Sequence, residues 1–381
     1  MRHFFLILSF VFCAVIANAQ QKQQQSSKAK PAVKKPVAST AQQKKYTETT
    51  ISFKSEGDTI TFAGALTLPN GKTNVPAVVI VSGSYQQDRD GMMAGHPMFK
   101  DIADYLSSNG IAVLRLDDRG TGKTTGIYQT ATTADFGDDA LKAIQYLKGI
   151  KGINPAKIGL LGHSEGGAAS AIAAGKSKDV AFIVSIAGLA TSGYTSLIQQ
   201  NQDLVNASQL PEVDKKRSNE INAIMFGVAL KYADSDSLEN KLNTTYNTWK
   251  VKDDAYFKTL NIEFDHFRFP IYSYVNYAIG PWYRYFVRFD AAKTIAQVQV
   301  PILALNGDKD LMVSGQSNLD NWKKYAAAGG NNNVETHLLP GLNHLFLPCV
   351  TCTQQEYSTI KAGFSPEALS IIGNWIRQNT K

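Results

Sequence analysis

Residues 157–175 read KIGLLGHSEGGAASAIAAG. The apolar run 158–161 is bounded by polar residues and has the length of a buried strand. The Ala-rich end suits a helix, alanine being the best helix former. Between them stands Gly162-His163-Ser164-Glu165-Gly166, a G-x-S-x-G pattern followed by Gly167. A strand running straight into a helix leaves Ser164 on a tight, strained turn, and the flanking positions must be small because a Cβ there would meet the facing backbone. The turn lifts the hydroxyl off the sheet edge. It also puts the Glu165 amide at a helix N-terminus, where backbone donors face an incoming anion. A glycine-rich turn that merely packs tightly has the same letters, but the strand before and the helix after favour a nucleophile elbow.

Upstream, residues 49–53 and 60–68 alternate apolar and polar side chains, as an antiparallel strand pair does, with Gly57-Asp58 turning between them and Asn70-Gly71 after them. Residues 77–81 are a continuous apolar run suited to a strand buried on both faces. Helical spacing over 97–108, a strand at 111–116, a helix over 134–148 and a strand at 180–187 follow. Alternating strands and helices predict a mostly parallel, doubly wound sheet. The alternation stops at Gly188. Residues 191–292 read as a helical cap inserted between two parts of one core, 46–190 and 293–381, and most of its aromatic residues are expected to build the cap's own interior. Beyond it the pattern resumes: a strand at 302–305, a helix at 316–328, a strand at 334–339 and a last helix at 366–377.

A serine hydroxyl needs a general base to attack, usually a histidine oriented by a carboxylate. The chain has six histidines. His163 adjoins Ser164 on an extended path and is expected to point to the other face. His96 precedes the first helix, His266 lies in the cap and His337 inside a strand. His344, in the turn-rich Pro340-Gly341-Leu342-Asn343-His344 after the last strand, should end at the same sheet edge as the elbow and is the candidate base. The carboxylate should come from an earlier strand's loop, Asn306-Gly307-Asp308-Lys309-Asp310. Asp308 and Asp310 both reach. Asp310 is preferred because the loop turns before presenting it, leaving Asp308 as a solvated turn residue. Backbone donors for a tetrahedral oxyanion are expected at Glu165 and in Ser82-Gly83-Ser84-Tyr85, with the Ser84 amide chosen and Tyr85 the alternative. Two Asp–Arg clusters, Asp88-Arg89-Asp90 and Asp118-Arg119, are expected to brace neighbouring loops by ion pairs.

These residues together resemble the α/β-hydrolase superfamily over roughly residues 47–380. Within it the chain is similar to bacterial carboxylesterases with a G-S-x-x-x-D-R-D-G loop, here residues 83–91. The likeness extends to Asp118-Arg119-Gly120-Thr121-Gly122, to the elbow, and to Leu342-Asn343-His344-Leu345-Phe346. It implies an eight-stranded sheet with a helical cap after the sixth strand, a Ser164–Asp310–His344 triad, and cleavage of short acyl esters without metal or organic cofactor. The chain departs from the pattern at Tyr85-Gln86, where small residues or proline are usual, and at Cys349 and Cys352.

Composition narrows the remaining choices. Eight basic residues and no acid lie in residues 1–47, so the formal charge of +7 for the 381-residue chain becomes −1 beyond them. The basic balance belongs to a tail, and no nucleic-acid surface is expected. Residues 1–19 have the basic start, apolar run and Ala-Asn-Ala site of a secretory signal, so an exported protein, periplasmic or secreted, is expected, with no integral membrane segment after cleavage. Residues 20–45, rich in Gln, Lys, Ser and Ala, read as a disordered linker. Cys13 is expected to leave with the signal. In an oxidising compartment the remaining Cys349 and Cys352 are expected to form a disulfide. The sequence thus points to a secreted serine esterase acting on a small-molecule ester. An aminopeptidase or acyltransferase on the same triad would want acids in the cap, for which Glu263 and Asp265 are candidates. A binding protein on the same scaffold would have lost a triad member, and none is missing.

Overall fold

The computed structural model describes residues 44–54, 57 and 59–381; the expected signal segment, Cys13, nearly all of the linker and Asp58 lie outside them. Its main sheet has eight strands: β1 (Tyr46–Lys54), β2 (Thr61–Pro69), β3 (Val75–Val81), β4 (Ala112–Leu116), β5 (Ile153–His163), β6 (Ile183–Ile186), β7 (Ile302–Gly307) and β8 (Val334–Leu339). Their spatial order is β1-β2-β4-β3-β5-β6-β7-β8. β1 and β2 pair antiparallel, β2 runs antiparallel to β4, and the remaining neighbours are parallel. Parallel pairing puts the C-terminal ends of β3, β5, β7 and β8 at one edge, and the loops carrying Ser84, Ser164, Asp310 and His344 leave from that edge.

Helices cover both faces, so inner strands need apolar side chains on both sides. Ala77, Val79 and Val81 of β3 pack under α2 (Thr133–Lys148), with its Ala140, Ile144 and Leu147, and α3 (Glu165–Lys176), in an apolar layer that continues along the sheet to Trp322 of α10 (Gly315–Ala328). Their neighbours Val78 and Ile80 share the layer on the other face with Ile102 and Leu106 of α1 (Met98–Ser108) and Ile372 and Trp375 of α11 (Pro366–Asn379). α2 starts at a capping box, with Thr132 and Asp135 each bonding the other's backbone N–H. β5 begins five residues before the apolar run 158–161, because Ile153 pairs with Val75 ahead of a register shift.

Between β6 and β7 lie α4 (Gly193–Ala207), α5 (Glu212–Lys231), α6 (Leu238–Phe257), α7 (Ile271–Ala278) and α8 (Pro281–Val287), with the short α9 (Ala291–Ile295) returning to the core. The first five share an interior of their own, including Ile221, Met225, Leu242, Trp249, Tyr274 and Tyr283. Tyr272 and Phe264 stay exposed. The cap enters and leaves through one neck, where the Gly193 N–H donates to the Phe289 carbonyl at 2.9 Å. Among the described residues no helix is long and apolar enough to cross a membrane.

Candidate active site

β5 ends at His163 and α3 starts at Glu165, so Ser164 alone makes the turn, with φ 55° and ψ −121°. Positive φ in a residue with a Cβ is strained and persists only where its surroundings hold it. They do: a Cβ on Gly162 would stand 2.2 Å from the Gly166 carbonyl oxygen, and one on Gly166 2.2 Å from that of Val81. The glycines therefore let three stretches of backbone close around the half-buried serine.

The loop after β7 delivers Asp310, and the loop after β8 delivers His344, to within 2.8 Å between Asp310 Oδ2 and His344 Nδ1. Asp310 is 6% exposed. Its Oδ1 accepts from the backbone N–H of Met312 (2.8 Å) and Val313 (3.0 Å), and its Oδ2 also accepts from Asn306 Nδ2 at 3.0 Å. A carboxylate so held orients an imidazole without moving. Asp308 does not reach His344. Instead of being a merely solvated turn residue, it accepts from the Gly341 N–H at 2.6 Å and ties the two loops together.

His163 corrects the expectation that it points away from the site. Its Nε2–H donates to the His344 carbonyl at 3.1 Å, and the two rings are 4.7 Å apart. Burial, reinforced by the nearby His344, holds its pKa well below the ordinary imidazole range. Of the other histidines, His96 contacts the Tyr357 carbonyl and His337 pairs with Glu335. Ser164 Oγ and His344 are not hydrogen-bonded to each other in this structure. The bond from His163 connects their loops.

The loop after β3 runs alongside the elbow, so that a Cβ on Gly83 would stand 3.0 Å from that of Ser164. Ser84 comes next, and Tyr85 has φ 69°. Glu165 opens α3, where first-turn N–H groups have no partner within the helix. Its side chain, which the sequence reading ignored, is buried, with Oε2 accepting from Ser84 Oγ at 2.6 Å. Oε1 accepts from Thr133 Oγ1 at 2.6 Å and from Trp282 Nε1 of α8 at 2.8 Å. Burial raises its pKa, and these three hydrogen bonds pull against that rise. A signal was present: Glu165 is the one acid between residues 158 and 175, in a stretch otherwise nearly all apolar or small.

The Asp–Arg clusters do brace the loops, but with other partners than expected. Arg89 pairs with Asp117, donating from Nε (2.9 Å) and Nη2 (2.5 Å), and also donates to the Gly64 carbonyl. Burial would raise the Asp117 pKa, but Arg89 brings it below the usual carboxylate range. Asp88 joins no ion pair and accepts from the Asp90 and Met92 N–H groups of its own turn. Arg119 pairs with Asp139 of α2 at 2.6 and 2.9 Å. Asp118 accepts from Ser82 Oγ at 2.6 Å and the Gln87 N–H at 2.7 Å, yet burial pushes its pKa up to about 7. Each arginine reaches an acid from another stretch of chain, Arg89 one just after β4 and Arg119 one in α2.

In the cap, Asp265 is not available to hold a substrate amine. It receives two hydrogen bonds from Arg217, at 2.9 and 2.8 Å. Arg217 also binds Asp253 through Nε and Nη2, both at 2.7 Å, and Asp214 at 3.1 Å. Glu263 is exposed. Asp253, Asp254 and Asp265 are the one group of acids among the described residues close enough to share a cation, and Arg217 already supplies that positive charge to two of them. Cys349 and Cys352 are joined by a disulfide five residues after His344. The Glu356 carboxylate accepts from the N–H groups of Val350, Thr351 and Cys352 and holds that loop.

Comparison with known proteins bears on the fold. Residues 90–218 match the family described as serine aminopeptidase, S33. Esterase EstD of Thermotoga maritima is 27% identical over 300 residues, which are 78% of this chain and 61% of that protein. The chain therefore spans about three fifths of the length of that relative. Among solved structures, an esterase of Pyrococcus furiosus aligns with a TM-score of 0.52 at 14% identity, covering 88% of this chain and 92% of the other. The alpha/beta hydrolase GrgF of Penicillium sp. sh18 aligns with a TM-score of 0.50 at 15% identity, over 87% and 98%. Strand order, the strained turn at Ser164 and these alignments lead to one conclusion: the chain has the α/β-hydrolase fold, with a helical cap between its sixth and seventh strands.

Proposed function

We propose that this protein is a serine hydrolase that cleaves carboxylic esters, with short acyl groups as its substrates. Ser164 Oγ attacks the ester carbonyl and passes its proton to His344 Nε2. Asp310 accepts the Nδ1–H and stabilises the imidazolium. The backbone N–H groups of Ser84 and Glu165 receive the oxyanion. Collapse of the tetrahedral intermediate breaks the C–O bond, and the alcohol leaves with the proton from His344. Water then enters by the reverse sequence and frees the acid and Ser164. The 2.8 Å contact between His344 and Asp310, on a loop bonded to the residue before Ser164, carries this reading. The likeness to an esterase from Thermotoga maritima supports it.

The test is hydrolysis of p-nitrophenyl acetate, butyrate and octanoate by the wild type and Ser164→Ala, beside stoichiometric labelling with a fluorophosphonate. Serine-dependent turnover with the label on Ser164 is the expected result. Labelling without ester turnover would shift the reading to an aminopeptidase or acyltransferase, which the match to the serine aminopeptidase family favours but the pairing of Asp265 with Arg217 does not. Export to an oxidising compartment is part of the proposal, supported by the signal-like first 19 residues and by the Cys349–Cys352 disulfide.

A further inference from the structure

Glu165 is mounted rigidly. It is the residue after the strained serine, and the Gly162 and Gly166 backbone contacts fix its main chain. Its carboxylate gathers donors from three separate pieces of chain: Ser84 in the loop after β3, Thr133 at the start of α2, and Trp282 in the cap. A second link runs in parallel, since the side chains of Tyr277 of α7 and Tyr85 interact with each other. Two cap side chains thus bear on two consecutive residues of one loop, one directly and one through Glu165. Trp282 is itself anchored, stacked on Phe286 with ring centroids 4.7 Å apart, and Phe286 packs into the core beneath the sheet.

We propose that the cap positions the oxyanion loop, with Glu165 relaying the seating of Trp282 to Ser84 and Tyr277 holding Tyr85. The docked cap completes the site, and a lifted cap leaves Ser164 in place but its oxyanion donors loose. Trp282, Tyr277 and the Glu165 side chain are then positioning residues. The catalytic half of this inference rests on the reading of Ser84 as an oxyanion donor; the mechanical half does not.

Trp282→Phe tests it, since it keeps an aromatic ring for the Phe286 stack and removes only the N–H donor. Hydrogen–deuterium exchange on the full-length protein is expected to show faster exchange in residues 82–87 of the variant, with β5 and β7 unchanged. Unchanged exchange in 82–87 overturns the proposal whether or not the wild type hydrolyses esters. With turnover, kcat per fluorophosphonate-titrated site should fall about tenfold, with KM changing less. Ser84→Ala should show a similar loss, and the double variant should be no worse than either single one, because both break the same relay. A double variant about a hundredfold down would mean that Trp282 and Ser84 act independently, and would overturn the relay. Glu165→Gln, whose amide oxygen can still accept from Thr133 and Trp282 while its NH2 donates to the Ser84 hydroxyl, should retain most of the activity that Glu165→Ala loses; equal losses would show that the side chain serves only to fill space.

Discussion

The imidazole of His163 donates its Nε2–H to the backbone carbonyl of His344 at 3.1 Å, so the residue before the nucleophile carries the loop of the base. Two loops that meet at a sheet edge would otherwise be free to move apart. Replacing His163 with Phe keeps the buried volume and removes the bond. We expect kcat to fall roughly 10- to 100-fold from misplacement of His344, with a smaller change in KM. Equal kcat per labelled site would show that His163 only fills space.

Asp308 and Asp310 flank one lysine but hold different things. Asp310→Asn leaves the loop's shape but presents His344 with the wrong partner, for which a loss on the order of 10⁴ in kcat is expected. Asp308→Ala removes the bond to the Gly341 N–H and should cost about 1 kcal/mol of stability while changing kcat by severalfold at most. Urea unfolding beside steady-state kinetics separates the two, and a catalytic collapse in Asp308→Ala with intact Asp310→Asn would reverse their roles.

Stability should fall as pH rises from about 4 to about 7. The Asp118 carboxyl has a pKa near 7 in the folded chain and about 3.9 unfolded. Between those values the folded state binds the extra proton. The stabilisation is therefore full below about pH 4 and is lost as pH rises through 7. The buried Asp139 and Glu165, also raised, act in the same sense. Paired acids such as Asp117 and Asp265, lowered by their arginines, act oppositely and lose their contribution as pH falls. Asp118→Asn should flatten the decline in urea midpoint between pH 5 and 8. A slope equal to that of the wild type would remove Asp118 as its source.

Two acid-paired arginines should differ in what they hold together. Arg119→Ala leaves Asp139 of α2 with only Lys142 as a cation, and a loss of about 1–2 kcal/mol is expected together with lower activity. Arg217→Ala leaves Asp214, Asp253 and Asp265 facing one another inside the cap, at a cost of roughly 3 kcal/mol. Its damage should appear as protease cleavage between α5 and α6 while the sheet still melts cooperatively. Cleavage at wild-type rates would mean that the cap's apolar interior suffices.

The framework was legible because it is written in periodicity. Residues 77–81 could only be a strand buried on both faces, and G-x-S-x-G between a strand and a helix could only place Ser164 on the turn. Asp310 and His344 followed from their position after strands that end at the same edge. The pairings were not legible. Arg89 reaches Asp117 and Arg119 reaches Asp139 by the way neighbouring elements pack, which residue spacing does not encode. His163 was assigned to the other face from the alternation of an extended strand, but it is the last strand residue before the turn at Ser164, and its ring reaches the loop that carries His344. Glu165 was valued for its amide alone, since nothing local announces a tryptophan 117 residues further on.

The neck at Gly193 and Phe289 carries a consequence for the insert it closes. Because the cap's two ends sit one hydrogen bond apart, the sheet meets the same closed boundary whatever lies between them. Loop-closure entropy grows only slowly with length. An insert of different length can therefore be closed by the same neck with the serine turn unaltered.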